Sequence, residues 1–293
     1  MLSIIISSYQ PEFYNALEKN ISETCGIAYE IIKIDNPGTM SITAAYNKGV
    51  LKAQFPYLLF LHEDLIFHTK DWGRKLIAHL QNPKTGIVGI AGSSYIPTAP
   101  SGWHIPSDYH NHVHIIQNIK DKSNPAPLST FKNGDVTKNA IAIDGVFMAI
   151  NKANIPSPIF NENVKGFHGY DLDFSLQTAK KYQNYIVSDI LLEHFSRGKP
   201  DQTLFENNIQ IRAAHGNNFN VKNESDIERK AFIAFVEQHN LFKGISIQNL
   251  MRTLRFFPVG KIKLKDYFII FRHYYNYLKF KKNYTEKYNY KKI

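Results

Sequence analysis

Residues 30–67 read EIIKIDNPGTMSITAAYNKGVLKAQFPYLLFLHEDLIF. Two apolar runs of strand length, 30–34 (EIIKI) and 57–61 (YLLFL), flank a segment of helical character at 40–54. The first run stops at Asp35-Asn36-Pro37-Gly38, four strong loop formers, and Pro56 lies just past the helical segment. The second stops at His62-Glu63-Asp64. Strand, helix and strand in this order, with strands apolar on both faces, predict a mostly parallel sheet flanked by helices. In such sheets ligands bind outside the carboxyl ends of the strands. Asp35 and His62-Glu63-Asp64 both fall at such ends.

The pattern extends outward. Residues 2–7 (LSIIIS) read as a buried strand, 12–24 and 72–80 as helices, and 86–92 (GIVGIAG) as a further strand. Residues 95–136 are broken by Pro97, Pro100, Gly102, Pro106, Pro125, Pro127 and Gly134, which predicts a long binding loop or lid. A strand is expected over 140–150, carrying Asp144, then a helix over 170–182, a strand over 185–192 and a helix over 226–240. There is no internal repeat.

The chain has 293 residues, of which 43% are apolar and 20% charged, a composition that excludes a disordered or collagen-like chain. The single cysteine, Cys25, forbids an intrachain disulfide and fits a reducing compartment. The first ten residues carry no basic segment ahead of a long apolar run, so no signal peptide is expected. No stretch approaches the ~20 apolar residues of a membrane span. A cytoplasmic protein is expected, and the Asn-x-Ser/Thr triplets at Asn20, Asn223 and Asn283 are then not glycosylation sites.

Charge is uneven. Residues 260–293 hold ten Lys/Arg against Asp266 and Glu286, a net +8 out of the chain's +10. Tyr267, Ile270, Phe271, Tyr274 and Leu278 recur there at helical spacing, with Lys265, Arg272 and Lys279 on another face. A basic amphipathic helix of this kind suits an anionic membrane surface. The other reading is a helix packed on the rest of the protein with a solvated basic face. No recognisable nucleic-acid-binding motif accompanies it, so no nucleic-acid partner is expected.

Carboxylates at a strand end, as in His62-Glu63-Asp64, can hold a hard divalent cation that neutralises a diphosphate; a turn or helix cap is the plainer alternative. His110, His112 and His114 share one face if extended and have zinc-compatible spacing, but no cysteine or downstream acid pair completes a site. Trp103 and Tyr109 read either as a stacking platform for a ligand ring or as exposed loop aromatics without function. Asp171 reads either as a positioned base or as an acid favoured at a helix N-terminus.

The 30–67 stretch resembles the nucleotide-sugar-binding half of family-2 glycosyltransferases with the GT-A fold. In that family an Asp ends the second strand, an Asn sits in the following helix, and an Asp-x-Asp motif ends the next strand; Asp35, Asn47 and Asp64 fall on those positions. Ile143-Asp144-Gly145-Val146-Phe147-Met148 resembles the segment before the acceptor site, and Tyr170-Asp171-Leu172-Asp173-Phe174-Ser175-Leu176-Gln177 the Glu-Asp-x-Asp-x-x-x-Arg region. The likeness extends over about residues 1–200 and is greatest to a bacterial subgroup marked by FH-x-YD-x-DFSLQ and HFS-x-G. His62, Tyr170 and Gln177 depart from the family's Asp, Glu and Arg.

The resemblance implies a GT-A catalytic domain over 1–225, with 95–136 as an acceptor-side loop region, and a C-terminal helical region with a basic tail over 226–293. It implies a metal-dependent inverting transfer from a nucleotide-diphosphate sugar, foremost a UDP-sugar, to a glycan or lipid-linked acceptor. Asp35, Asn47, His62, Glu63 and Asp144 would bind the donor, Asp64 and His194 the Mn²⁺ or Mg²⁺, and Asp171 would be the base. Arg197 and Lys199 are candidates for the diphosphate, and Asp173 and Trp103 for the acceptor. The alternatives are a nucleotidyltransferase, for which no Gly-rich phosphate loop lies near the N-terminus, and a non-catalytic glycan- or nucleic-acid-binding protein on a degenerate GT-A fold.

Overall fold

The computed structural model describes residues 1–118, 126–132, 134–155, 158–195, 201–216 and 218–291. The chain divides into two compact units, Met1–Tyr95 with Asp108–Lys199, and Ile96–Ser107 with Pro200–Ile293.

The strands of the first unit are β1 (Leu2–Ser8), β2 (Tyr29–Asp35), β3 (Tyr57–Leu61), β4 (Leu65–Phe67), β5 (Thr85–Gly89), β6 (Ala91–Ser93), β7 (Asn111–Gln117), β8 (Leu128–Ser129), β9 (Thr137–Ala140), β10 (Ala142–Ile143), β11 (Phe147–Asn151), β12 (Gln183–Val187) and β13 (Leu192–His194). Its helices are α1 (Pro11–Thr24), α2 (Ile42–Val50), α3 (Trp72–Leu80) and α4 (Tyr170–Ala179). Seven strands form the main sheet in the order β2-β1-β3-β11-β5-β12-β9. β1 runs parallel to β2 and β3, and β12 to β5; β11 and β9 are reversed.

Alternate side chains serve two cores. Ile4, Ile6, Leu59, Leu61, Phe147 and Ala149 meet α1 and α3 through Leu17, Ile21, Trp72 and Leu76. Ile5, Leu58, Phe60, Met148 and Ile150 meet α2 and α4 through Ala45, Tyr46 and Phe174. Burial on both faces is why these strands read as continuous apolar runs. Helix α2 starts where the Ser41 side chain accepts from the Ala44 N–H. It stops four residues short of the predicted end, because Lys52 and Ala53 turn back onto the Gly49 and Val50 carbonyls in i→i+3 bonds.

Three predicted strands are each divided. Residues 86–92 break at Ile90 into β5 and β6, 140–150 break at the Asp144-Gly145-Val146 turn, and 185–192 break between β12 and β13. At the first and third breaks the chain leaves the main sheet for a second one, ordered β10-β6-β7-β13-β4 with β8 beside β7, and at the 144–146 turn it returns from β10 to β11 of the main sheet. The apolar run continues across the crossing because both sheets bury it, so periodicity cannot reveal the break. The predicted loop 95–136 also contains β7, whose polar sequence NHVHIIQ is held between β6 and β13.

The second unit holds α5 (Gln202–His215), α6 (Ser225–Lys243), α7 (Ile247–Thr253), α8 (Leu264–Lys279) and α9 (Lys281–Lys291). Phe205, Phe232, Phe235, Val236, Leu250, Ile270 and Tyr277 form its core, joined by Ala99. Segment 96–107 is tied in by Arg212 Nη2 donating to the Pro97 carbonyl at 2.8 Å and by the Glu228 carboxylate accepting from the Thr98 N–H at 2.9 Å. Helix α5 escapes sequence reading because its buried face mixes Phe205 and Ile211 with Asn207, Asn208 and Arg212. Helix α8 buries Ile270 and Tyr277, while Leu264, Phe268, Phe271, Tyr275 and Leu278 are exposed. The apolar face predicted from spacing is thus shared between the core and solvent. No helix of the described residues is long and apolar enough to cross a membrane.

Candidate metal centre and base

The crossing between the two sheets builds the site. Leu61, the last residue of β3, pairs with Phe147 of the antiparallel β11. Beyond it the His62 N–H donates to the Val146 carbonyl at 3.3 Å, which sets His62 beside the 144–146 turn. The chain then enters β4, where Leu65 pairs with His194 of β13. Asp64 and His194 are neighbours for that reason, and the Phe195 N–H donates to the Asp64 carbonyl at 3.1 Å.

His62, Asp64 and His194 each offer one ligand atom, and the three atoms lie within 4.8 Å of one another. His194 Nε2 is 3.5 Å from Asp64 Oδ2. The other nitrogen of His194, Nδ1, is 3.3 Å from Gln117 Oε1 on β7. A Gln oxygen only accepts, so Nδ1 carries the proton and Nε2 the lone pair. Burial pushes both imidazoles below their ordinary values, against the opposing pull of Asp64. Neutral imidazoles and a carboxylate in one pocket are a donor set that fits Mn²⁺. Among the described residues this is the one group of its kind.

The 144–146 turn carries the second element. Asp144 Oδ1 accepts the Val146 N–H at 2.8 Å, bracing the turn. Gly145 donates its N–H to Asp171 Oδ2 at 3.2 Å, and Leu172 donates to Asp171 Oδ1 at 2.9 Å. Asp171 lies in the first turn of α4, which is capped at its N-terminus by Gly169 in the left-handed region at φ 83°. Burial, and then the Asp144 charge, push the Asp171 carboxyl up to about 7, against the two N–H donors. A carboxylate that exchanges its proton near neutrality is suited to general-base work. Asp173, two residues on, is buried.

The remaining predicted residues have other surroundings. Asp35 ends β2 on the same carboxyl edge, 80% exposed and 3.0 Å from Lys33 Nζ. Glu63 is buried and holds the β1–α1 connection: its carboxylate accepts from Ser8 Oγ at 2.6 Å, the Tyr9 N–H at 3.1 Å and the Gln10 N–H at 3.0 Å. Asn47 has its amide engaged by Phe160, donating to the carbonyl at 2.8 Å and accepting from the N–H at 3.0 Å, and it also donates to Glu162. His110 and His112 each meet Ser94 Oγ, at 2.8 and 3.2 Å, and His114 meets Ser129 Oγ at 3.1 Å. Trp103 belongs to the second unit, where its ring abuts His104. Arg197 and Lys199 lie outside the described residues.

Sequence reading missed Gln117, Gly145 as a two-sided contact, and the pairing of Tyr170 with His62. Tyr170 Oη is 3.0 Å from His62 Nε2 and donates to the Gly145 carbonyl at 3.1 Å. Both residues stand where the resembled family has an acid, and that coincidence of two substitutions was the available signal.

The profile of a family described as glycosyltransferase-like matches residues 3–215. No curated protein matches the chain in sequence. Among solved structures, GalNAc-T7 with UDP, GalNAc and Mn²⁺ aligns at a TM-score of 0.52 and 9% identity, over 87% of this chain and 54% of that one. TarS of S. aureus aligns at 0.50 and 12% identity, over 88% of this chain and 49% of that one. Residues 1–349 of TarS align at 0.50 and 13% identity, over 87% and 79%. This chain spans about half the length of the first two. The likeness is one of fold, the GT-A arrangement of a mostly parallel sheet between helices.

Proposed function

The chain belongs to the glycosyltransferase-like family, and from that premise we propose that it is a metal-dependent, inverting glycosyltransferase. The donor is a nucleotide-diphosphate sugar, foremost a UDP-sugar, and the acceptor a hydroxyl of a glycan or lipid-linked glycan. The observation that carries this reading is the His62, Asp64 and His194 group at the carboxyl end of β3, with its ligand atoms within 4.8 Å.

The divalent cation, Mn²⁺ or Mg²⁺, supplies charge neutralisation to the leaving diphosphate when bound. His62, Asp64 and His194 hold it. Asp171 takes the proton of the acceptor hydroxyl on a free lone pair of its carboxylate. The acceptor oxygen bonds to the anomeric carbon from the face opposite the diphosphate. The carbon–oxygen bond to the diphosphate breaks, and its electron pair leaves with the nucleotide. Asp144 raises the proton affinity of Asp171, and Gly145 and Leu172 orient its carboxylate. Asp35, exposed on the same edge, contributes to donor recognition.

The reading extends to location, at the cytoplasmic face of an anionic membrane. The net +8 of residues 260–293 supports it, as does the open apolar stripe of Leu264, Phe268, Phe271, Tyr275 and Leu278 on α8.

A panel of nucleotide sugars, screened for thermal stabilisation with Mn²⁺ and again with EDTA, tests the reading, because a ligand bound to the folded state raises its melting temperature. One donor is expected to stabilise the protein only when metal is present and to be consumed when a glycan acceptor is added. A panel in which no nucleotide sugar binds, or in which EDTA makes no difference, contradicts it.

A further inference from the structure

Tyr170 is buried at the start of α4, its ring edge-on to Tyr46 at 5.8 Å and beside Phe160 at 6.0 Å. Packing therefore fixes where its hydroxyl sits. That hydroxyl has one proton, which it donates to the Gly145 carbonyl. Its contact with His62 Nε2 at 3.0 Å is then one in which the imidazole is the donor. With the Tyr170 proton on the Gly145 carbonyl, the ring would be held as the Nε2–H tautomer, with its lone pair on Nδ1. Close approach here demands glycine at 145, since a Cβ would come within 2.1 Å of Tyr170 Oη. The same residue donates its N–H to Asp171. Gly145 thus braces, through its carbonyl, the hydroxyl behind His62 and, through its N–H, the adjacent carboxylate.

We propose that Tyr170 is a positioning residue for the metal centre: anchored on Gly145, its hydroxyl holds His62 in the tautomer that presents Nδ1 as a ligand beside Asp64 and His194. The inference rests on the metal reading above and deepens it. In place of the family's acidic pair, this chain uses a histidine whose ligand atom is chosen by a tyrosine. Outer partners that orient a ligating histidine change metal affinity by about 10–100-fold when removed.

Two measurements test it. The first is the ¹⁵N shift pattern of the His62 ring in metal-free wild type, which should show the proton on Nε2; a proton on Nδ1 overturns the proposal. The second is calorimetric titration with Mn²⁺ of wild type, Tyr170→Phe, His62→Asp and the double variant. Tyr170→Phe should weaken Mn²⁺ binding about 10–100-fold while circular dichroism stays that of the folded protein. In the His62→Asp background the same change should have no effect on affinity, because a carboxylate has no tautomer to select. Wild-type affinity in Tyr170→Phe, or an equal loss in both backgrounds, overturns the positioning role and leaves the metal site standing. Wild type that binds no Mn²⁺ overturns the metal reading itself, and this inference with it.

Discussion

Gly145 donates its backbone N–H to Oδ2 of Asp171 at 3.2 Å, although 26 positions separate them in the chain. The bond ties the start of α4 to the turn between β10 and β11, and it aims the carboxylate from a fixed support. With burial and Asp144 pushing that carboxyl up to about 7, the group is poised to take a proton near neutral pH. Asp171→Asn keeps the shape and removes the basicity. Turnover should fall by ~10²–10⁴, with donor affinity unchanged in a binding assay. Near-wild-type transfer by the variant would move the base to Asp173.

The pH profile follows from the same group. The base acts when ionised, so log kcat should rise with pH up to about 7 and then level off. A profile flat from pH ~5 to ~8 would remove Asp171 from the chemistry.

Stability should move the other way. The carboxyl is raised from its ordinary 3.8 to about 7 in the fold. Between those values the folded state keeps a proton that the unfolded chain has released, so stability falls as pH rises through that window. Asp171→Asn abolishes this loss. Its melting temperature relative to wild type should therefore climb between pH ~4 and ~8, as read by calorimetry. Such a gain, coupled to lost turnover, is the usual signature of a residue kept for function at a cost in stability.

Glu63 stands between His62 and Asp64 in sequence yet serves the β1–α1 connection. Glu63→Ala leaves the Ser8 hydroxyl and the Tyr9 and Gln10 N–H groups without their acceptor. It should cost about 2–3 kcal/mol in urea denaturation, and it should weaken Mn²⁺ binding far less than Asp64→Ala does.

Helix α8 offers a contrast within one element. Ile270 lies in the core, whereas Phe268 is 68% and Phe271 55% exposed. Ile270→Ala should cost about 2–5 kcal/mol. The pair Phe268→Ser and Phe271→Ser should leave the melting temperature unchanged and abolish co-sedimentation with phosphatidylglycerol vesicles. Wild-type binding to those vesicles should weaken with salt and be absent with phosphatidylcholine alone. Equal sedimentation of wild type and the double variant would contradict the docking role.

The sequence disclosed β1, β2 and β3 almost to the residue, since β1 and β3 are buried on both faces and β2 ends at the loop formers Asp35-Asn36-Pro37-Gly38. Motif order singled out Asp64 and His194, which the fold brings into one cluster, and Asp171 at the start of α4. The crossings at Ile90, at Asp144-Gly145-Val146 and between β12 and β13 stayed hidden, since an apolar run looks the same in either sheet. Those crossings are also what carry His62 to Tyr170 and Asp64 to His194, so the ligand geometry was hidden with them. Glu63 and Asn47 show the converse. Their residue types suit donor binding, but only the fold reveals that their side chains are engaged by Ser8, Tyr9 and Gln10 and by Phe160 and Glu162.

On the proposed reading, His62, Asp64 and His194 jointly hold the cation that meets the donor diphosphate. Anomalous diffraction at the manganese edge, from crystals soaked in Mn²⁺ and UDP, tests it most directly. One strong peak is expected within bonding distance of all three side chains and of the diphosphate, absent in Asp64→Ala. A map without a peak there, or with manganese bound to UDP away from these residues, would contradict it.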